Sequence, residues 1–304
     1  MQWRCVVAQR DELGESPFWH PHEARLYWID IPARQLRRMD PSRGIAEHWE
    51  MPQEPGCIAP IEGAGLVIAL RDGIYRSATW GGALQLVART GHDPRTTRFN
   101  DGKADPAGRF WAGTIYEPRD QRLARLYSVE LRGDEPPFIE IKADDAITAN
   151  GLAWSPDART MYWADTPGHV IRAWPWDAVA NALGEPRVLR QFDAKPAGWK
   201  PGDAGYGGRP DGAAVDVEGN YWCAMFEGAR VLKLSRDGEL LAQYPVPMRC
   251  PTMPCFGGPD LRTLFVTSAS HRRPDDELLE FPLSGCVIAA QVDVPGLPVN
   301  FVRP

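Results

Sequence analysis

The sequence predicts an all-β protein, a six-bladed β-propeller, and three observations carry that prediction. A polar turn followed by an aromatic or apolar strand recurs six times along the 304 residues, and a repeat of roughly 50 residues lies within the range of propeller blades. The 29 Gly and 29 Pro supply turns for a chain of short strands. Twelve Trp, several at strand-like positions, supply large side chains to fill the wedge between neighbouring blades. A small antiparallel sheet cannot bury its faces alone, and stacking six around an axis does so. One such domain is expected over residues 1–304.

The repeated segments are, in order, 23–30, 63–69, 105–113, 155–165, 218–224 and 258–267. Two recur almost in the same letters, Leu26-Tyr27-Trp28-Ile29-Asp30 and Met161-Tyr162-Trp163-Ala164-Asp165. Several are followed by a second strand, such as 169–174 and 229–234. Helix is nearly absent: 176–183 has helical character, and Gly184 would stop it. Residues 4–8 and 285–290 are both strand-like, so pairing between the two ends is expected to close the ring and hide its sheet edges.

Composition narrows the function. Hydrophobic content of 43% and charged content of 24% are those of a globular protein. Forty acidic against 34 basic residues give −6, a balance that argues against nucleic acid as a partner. Residues 1–7 lack a basic region ahead of an apolar stretch, and no long apolar run occurs, so neither a signal peptide nor a membrane span is expected. The six Cys (5, 57, 223, 250, 255, 286) are scattered, which fits a reducing, cytoplasmic location. Cys250 and Cys255 have a zinc-like spacing, but no second Cys/His pair completes the set, so both read as plain thiols.

Three oxygen-bearing residues stand at one equivalent point of three repeats. Glu15 lies in Leu13-Gly14-Glu15-Ser16-Pro17, Asn150 in Thr148-Ala149-Asn150-Gly151-Leu152, and Asp211 in Arg209-Pro210-Asp211-Gly212. Taken singly, each reads as a turn residue, since Asn-Gly and Asp-Gly tolerate positive φ. Taken together, two carboxylates and one amide suit a divalent cation with positions left for water or substrate. They are expected at the mouth of the channel, on the loops entering the innermost strands. Lys103 and Asp105 read as outer strand and turn residues. No Gly-x-Ser-x-Gly elbow, no His-Glu-x-x-His pair and no P-loop occurs, which leaves a serine hydrolase, a zincin and a nucleotide enzyme unsupported.

At these residues the chain resembles the senescence marker protein/regucalcin/gluconolactonase family of six-bladed propellers. Residues 13–17, 98–109, 150–152, 209–212 and 254–260 carry the resemblance, which extends over nearly the whole length. It implies a divalent metal (calcium, zinc, manganese, magnesium or iron(II)) held by Glu15, Asn150 and Asp211. It also implies hydrolysis of a sugar lactone, with Arg98 and Asn100 on the substrate. Glu117 lies beside a position where some members place a substrate-binding Glu; Pro118 occupies that position itself. Two further departures are Ser16, where Gly is common, and the long Gly-rich loop 195–208.

Lactone hydrolysis needs a water nucleophile and stabilisation of an oxyanion. The cation would polarise the carbonyl, and Asp211 is the expected general base, with attack by a metal-bound hydroxide as the alternative. Asn100 would reach metal or substrate, Asp101 would act there or cap its turn, and the planar Arg98 suits sugar hydroxyls. A calcium-binding regulatory propeller without turnover, and a metal-dependent esterase or phosphotriesterase, are the rival readings.

Overall fold

The innermost strands of six antiparallel sheets stand in a ring. The computed structural model describes residues 1–133, 135–201 and 203–304, and these build six sheets. The strand nearest the axis is Gly14–His20 in blade 1, Pro55–Pro60 in blade 2, Thr97–Ala104 in blade 3, Ala149–Trp154 in blade 4, Arg209–Val215 in blade 5 and Pro251–Gly257 in blade 6. Each packs on its counterparts in the flanking blades, and the last returns to the first. The six repeated segments of the sequence become the second strands: Arg25–Asp30, Leu66–Leu70, Phe110–Tyr116, Thr160–Asp165, Tyr221–Phe226 and Thr263–Ser268.

Blade 6 closes the ring by mixing the chain ends. Arg4–Val7 pairs antiparallel with Val287–Gln291, giving the N-terminal strand the outermost place in a sheet otherwise built from C-terminal strands. The blade interfaces are aromatic, as the Trp count predicts. Trp111 of blade 3 packs edge-on to Trp154 and Trp176 of blade 4, at centroid distances of 5.5 and 6.2 Å, a geometry that suits the ring quadrupoles. Buried indole N–H groups need acceptors, and turn carboxylates six residues earlier supply them: Trp111 Nε1 donates to Asp105 Oδ2 at 2.8 Å and Trp222 Nε1 to Asp216 Oδ2 at 2.9 Å. Asp105 is thus a turn residue, as expected. Lys103 is not in an outer strand; it lies on the innermost strand of blade 3 and its ammonium donates to the Ala213 carbonyl of blade 5.

The helix expected at 176–183 is absent. Val170–Asp177 is a strand, a turn follows, and Ala182–Leu183 pairs back onto Trp176 and Asp177. The alternation of Trp174 and Trp176 buries both rings against blade 3, and tertiary burial outweighs the weak helical propensity of the following segment. Asp177 Oδ1 accepts the amides of Val179 and Ala180 and sets the turn. The α-helix among the described residues is instead Asp275–Glu280, with Asp275, Asp276 and Glu277 in its first turn after Pro274, a favourable charge placement. No helix is long and apolar enough to cross a membrane.

The tail after the last strand crosses one end of the ring. Gly296 N donates to the Leu261 carbonyl, Leu297 N to Val215, Val302 N to Pro60 and Arg303 N to Gly108, tying blades 6, 5, 2 and 3 together. Above it lies an axial cavity of about 280 Å³, lined by the innermost strands and by residues 297–300. This tail does not cross the opposite end of the ring, where the innermost strands begin.

Candidate active site

Every innermost strand carries a β-bulge at the same height. Pairing slips between Glu15 and Phe18, Pro55 and Cys57, Phe99 and Gly102, Asn150 and Ala153, Pro210 and Ala213, and Pro251 and Pro254. A bulge puts an extra residue into one strand and re-aims its side chains. Asn100 and Asp211 lie within the bulges of blades 3 and 5, Glu15 and Asn150 are the paired residues at which those of blades 1 and 4 open, and Gly56 and Thr252 lie within those of blades 2 and 6. The site residues are therefore inside the strands and not on the loops entering them, which corrects the sequence-based placement. All four polar residues are buried, from 3% exposed at Asn150 to 7% at Asn100.

The bulges explain the flanking residues. Gly151 has φ +61°, and a Cβ there would collide with the Tyr221 hydroxyl, which itself donates to the Gly151 carbonyl at 2.7 Å. Ser16 adopts φ +50° beside Glu15, a left-handed conformation that favours Gly. Its hydroxyl accepts the Ile58 amide at 3.0 Å, which ties blade 1 to blade 2. Thr252 is structural: its hydroxyl donates to the Gly14 carbonyl.

The repeated Asp at the end of the second strand positions the site from outside. Asp30 accepts the amides of Glu12 and Leu13 at 3.0 and 3.1 Å. Asp165 accepts those of Ile147 and Thr148 at 3.1 and 3.2 Å. Each carboxylate pins the segment that leads into Glu15 or Asn150.

A relay of amides joins three blades. Arg98 Nη1 donates to Asn100 Oδ1 at 2.9 Å, Asn100 Nδ2 to Asn150 Oδ1 at 2.9 Å and to the Ala149 carbonyl at 3.0 Å. Asn150 Nδ2 donates to Thr166 Oγ1 at 2.7 Å, and Thr166 Oγ1 donates to the carbonyl of Pro210, the neighbour of Asp211, at 2.7 Å. With its Nδ2 committed to Thr166, Asn150 keeps Oδ1 as its oxygen donor on the inner side. Arg98 is buried and its Nε lies 3.5 Å from Glu117 Oε1. Glu117, more exposed, also receives Arg71 at 2.9 and 3.2 Å.

Electrostatics mark the same spot. Burial pushes the Glu15 carboxyl well above its usual range, and Asp211 and then Asp101 push it further. Burial raises Asp211 well above its usual range too; Arg209 opposes and Asp101 adds. Only the backbone amides of Ser16 and Gly212 favour the ionised forms by hydrogen bonding. Two buried carboxylates repelling each other, next to an oriented amide oxygen, make a donor set that fits a hard divalent cation. Among the described residues no group of three or more His, Cys, Asp or Glu is arranged to hold an ion; the set here has two carboxylates and relies on the amide. Cys250 and Cys255 are buried free thiols.

Other side chains near the site differ from their expected roles or were not anticipated. Asp101 Oδ2 accepts the Leu152 amide at 2.8 Å, while its buried Oδ1 has no partner. Lys103 stands nearest in charge to Asp101, and burial lowers its ammonium while Asp101 holds it up. Thr166 had no sequence signal at all. The loop 195–208, of which Gly202 lies outside the described residues, packs at the same end: Lys195 Nζ reaches Glu227 at 2.9 Å and the Tyr206 hydroxyl meets His169 Nε2 at 2.8 Å.

Comparison with known proteins agrees with this fold. The family described as SMP-30/Gluconolactonase/LRE-like region matches residues 13–270. A 6-deoxy-6-sulfogluconolactonase of Pseudomonas putida is 44% identical over 96% of both chains. A pentonolactonase of Haloferax volcanii is 33% identical over 87% of this chain and 84% of its own. Among solved structures, a calcium-binding protein, regucalcin, of Agrobacterium tumefaciens superimposes with a TM-score of 0.89 at 27% identity, covering 100% of this chain and 98% of that one. A six-bladed ring with this arrangement of bulges, matched along nearly its whole length, belongs to the SMP-30/gluconolactonase/LRE-like family.

Proposed function

We propose that this chain, working as one six-bladed domain, hydrolyses a five- or six-carbon sugar lactone to the aldonic acid, with a divalent cation at Glu15, Asn150 and Asp211. The observation that carries the reading is that Glu15, Asn150 and Asp211 lie buried on the innermost strands of three blades, with Asn150 tied to Asn100 and, through Thr166, to the neighbour of Asp211, in a chain 44% identical over 96% of its length to a named lactonase. When bound, the cation supplies Lewis-acid polarisation of the lactone carbonyl. Asp211 accepts the proton of the attacking water as the new C–O bond forms. It returns that proton to the ring oxygen as the ester C–O bond breaks, which restores the carboxylate. Glu15 and Asn150 chiefly hold and orient. Arg98 and Asn100 meet the polar groups of the sugar, and Glu117 sets the position of Arg98. The unpaired thiols support a cytoplasmic setting.

The direct test is acid release from a panel of aldonolactones after chelation and after return of calcium, zinc, manganese, magnesium or iron(II). Turnover that vanishes on chelation and returns with an ion supports the proposal. Ion binding with no turnover on any lactone would favour a calcium-binding regulatory role, and faster turnover of aryl phosphotriesters would favour the esterase reading.

Arg98 gives a sharper readout. A site that hydrogen-bonds sugar hydroxyls loses those contacts on truncation, and an analogue without hydroxyls has less to lose. Arg98→Ala should lower kcat/KM for the sugar lactone about tenfold more than for an unsubstituted lactone, as the loss of a charged hydrogen bond implies. Equal losses would make Arg98 a positioning residue for Asn100.

A further inference from the structure

Which atom of Asn150 faces an ion is decided outside the ion site. A side-chain amide offers an oxygen at one end and hydrogens at the other, and a reversed Asn150 would present a donor where a ligand is needed. The relay that holds it begins and ends on groups of fixed polarity. Arg98 Nη1 can only donate, so Asn100 meets it with Oδ1 and turns Nδ2 to Asn150 Oδ1, at 2.9 Å in both contacts. At the far end the Pro210 carbonyl can only accept. Thr166 gives it the hydroxyl hydrogen at 2.7 Å, so the hydroxyl meets Asn150 with a lone pair and accepts Nδ2, also at 2.7 Å. Asn150 Oδ1 then has one lone pair engaged by Asn100 and one for an ion.

Thr166 is buried and has a support of its own. It opens the turn 166–169 between the second and third strands of blade 4, where its amide donates to the Thr148 carbonyl at 3.3 Å and its carbonyl accepts the His169 amide at 3.1 Å. His169 Nδ1 lies 3.0 Å from the Pro167 carbonyl, so the neutral imidazole keeps its hydrogen there and Nε2 accepts the Tyr206 hydroxyl at 2.8 Å. Tyr206 belongs to the long loop 195–208, whose other end is fixed through Lys195 to Glu227 at 2.9 Å. The loop thus braces the turn that carries Thr166.

We propose that Thr166 is a positioning residue of the ion site: its hydroxyl holds the Asn150 amide with Oδ1 on the edge away from Thr166, from a turn braced by His169 and Tyr206. This rests on the cation reading above and deepens it. Thr166 touches neither ion nor substrate. Its hydroxyl serves two ligand-bearing strands at once, because Pro210 is the neighbour of Asp211. Removing that hydroxyl leaves the Asn150 NH2 group and the Pro210 carbonyl buried without partners, a cost that the amide relieves by tilting out of its ligand geometry.

The test is ion affinity by calorimetry on the whole chain. The parent is titrated first with calcium, zinc, manganese, magnesium and iron(II), and the tightest of these is carried into the variants. Thr166→Val keeps the shape and loses the hydroxyl, so affinity for that ion should fall about 10- to 100-fold, the range implied by stranded buried polar groups. Thr166→Ser restores the hydroxyl and should bind within about threefold of the parent, since the deleted methyl takes no part in the relay. Uptake of no ion by the parent refutes the cation site, and the role of Thr166 with it. Equal affinity in the parent and Thr166→Val refutes the role of Thr166 alone. Equal losses in both variants also refute it, by assigning the effect to packing of the methyl group. Should the valine variant not fold, Asn150→Asp decides. It adds a negative charge to the donor set, but it sets a carboxylate oxygen against the lone pair of Thr166, so the ion should bind no tighter than in the parent. Tighter binding would show that Thr166 needs no donor at position 150 and would overturn the proposal.

Discussion

Asp211→Asn should lower kcat for lactone hydrolysis by about a thousandfold, within the range removed with a general base, while the protein stays folded and still takes up the divalent ion. The substitution keeps an oxygen at the same bulge and the same volume against the Gly212 amide. It removes the carboxylate proposed to receive a proton from water. Glu15→Gln should divide its effects differently, weakening ion affinity more than it slows turnover at saturating ion. Calcium titration by calorimetry, read beside kcat at saturating ion, separates the two. Full turnover in ion-stripped Asp211→Asn protein is incompatible with the mechanism. A parallel loss of ion binding and turnover in both variants would reduce Asp211 to a ligand alone.

The contrast between these two carboxylates follows from their surroundings. Arg209 stands two residues before Asp211 and is the largest influence favouring its ionised form. Glu15 has no comparable cation: Arg98 is the last and weakest of its influences. In the absence of an ion, Glu15 is the group more dependent on a cation for its charge, which suits a holding role. Asp211 has a cation beside it that opposes the rise caused by burial, which suits a base.

How much of this was legible depends on the kind of signal. The six second strands could be read because their aromatic residues recur at a fixed distance after a turn, and the period survives any change of individual letters. The ring closure could be read because both chain ends carry a short strand-like apolar run. That Glu15, Asn150 and Asp211 stand at equivalent points of their blades could be read from the repeats, which is positional information and needs no geometry. Their place on bulges could not, because a bulge is a pairing defect and the partner strand is invisible in the local sequence. The same limit left the role of Asp101 open, misplaced Lys103 and hid Thr166, whose partners lie on other blades. Leu152, Ala213 and Pro210 lie between 44 and 110 residues away.

The failed helix at 176–183 shows a second limit. Its composition favours a helix weakly, whereas Trp176 is worth far more buried against Trp111 and Trp154 than any local propensity supplies. The helix that does form follows Pro274 with three acidic residues in its first turn. That is a recognisable start signal, obscured because the segment lies within a loop of a β-protein.

The second large effect is on stability. Arg37→Met should destabilise the fold by about 3–5 kcal/mol, the cost of stranding one partner of a buried ion pair. Arg37 Nη1 lies 2.7 Å from Asp11 Oδ1, and its Nη2 lies 3.4 Å from Asp30 Oδ2. Asp11 is fully buried, accepts Trp28 Nε1 at 3.0 Å, and bonds through its backbone to Gly285 and Ser270 of the closing blade. Its carboxyl is pushed up by burial and held down chiefly by Arg37. Losing Arg37 raises it further, so the extra electrostatic cost sets in as pH rises past the value in the parent and levels off at the higher value in the variant. Urea denaturation should therefore show a larger loss at pH 8 than at pH 5. The double variant Asp11→Asn/Arg37→Met removes both charges and keeps an acceptor for Trp28, and it should recover most of the loss at pH 8. A double variant no more stable than Arg37→Met would mean that packing of the arginine stem, and not its charge, secures the joint between blades 6 and 1. Because Asp30 also pins the residues leading into Glu15, Arg37→Met should weaken ion binding as well, even though Arg37 touches no ligand.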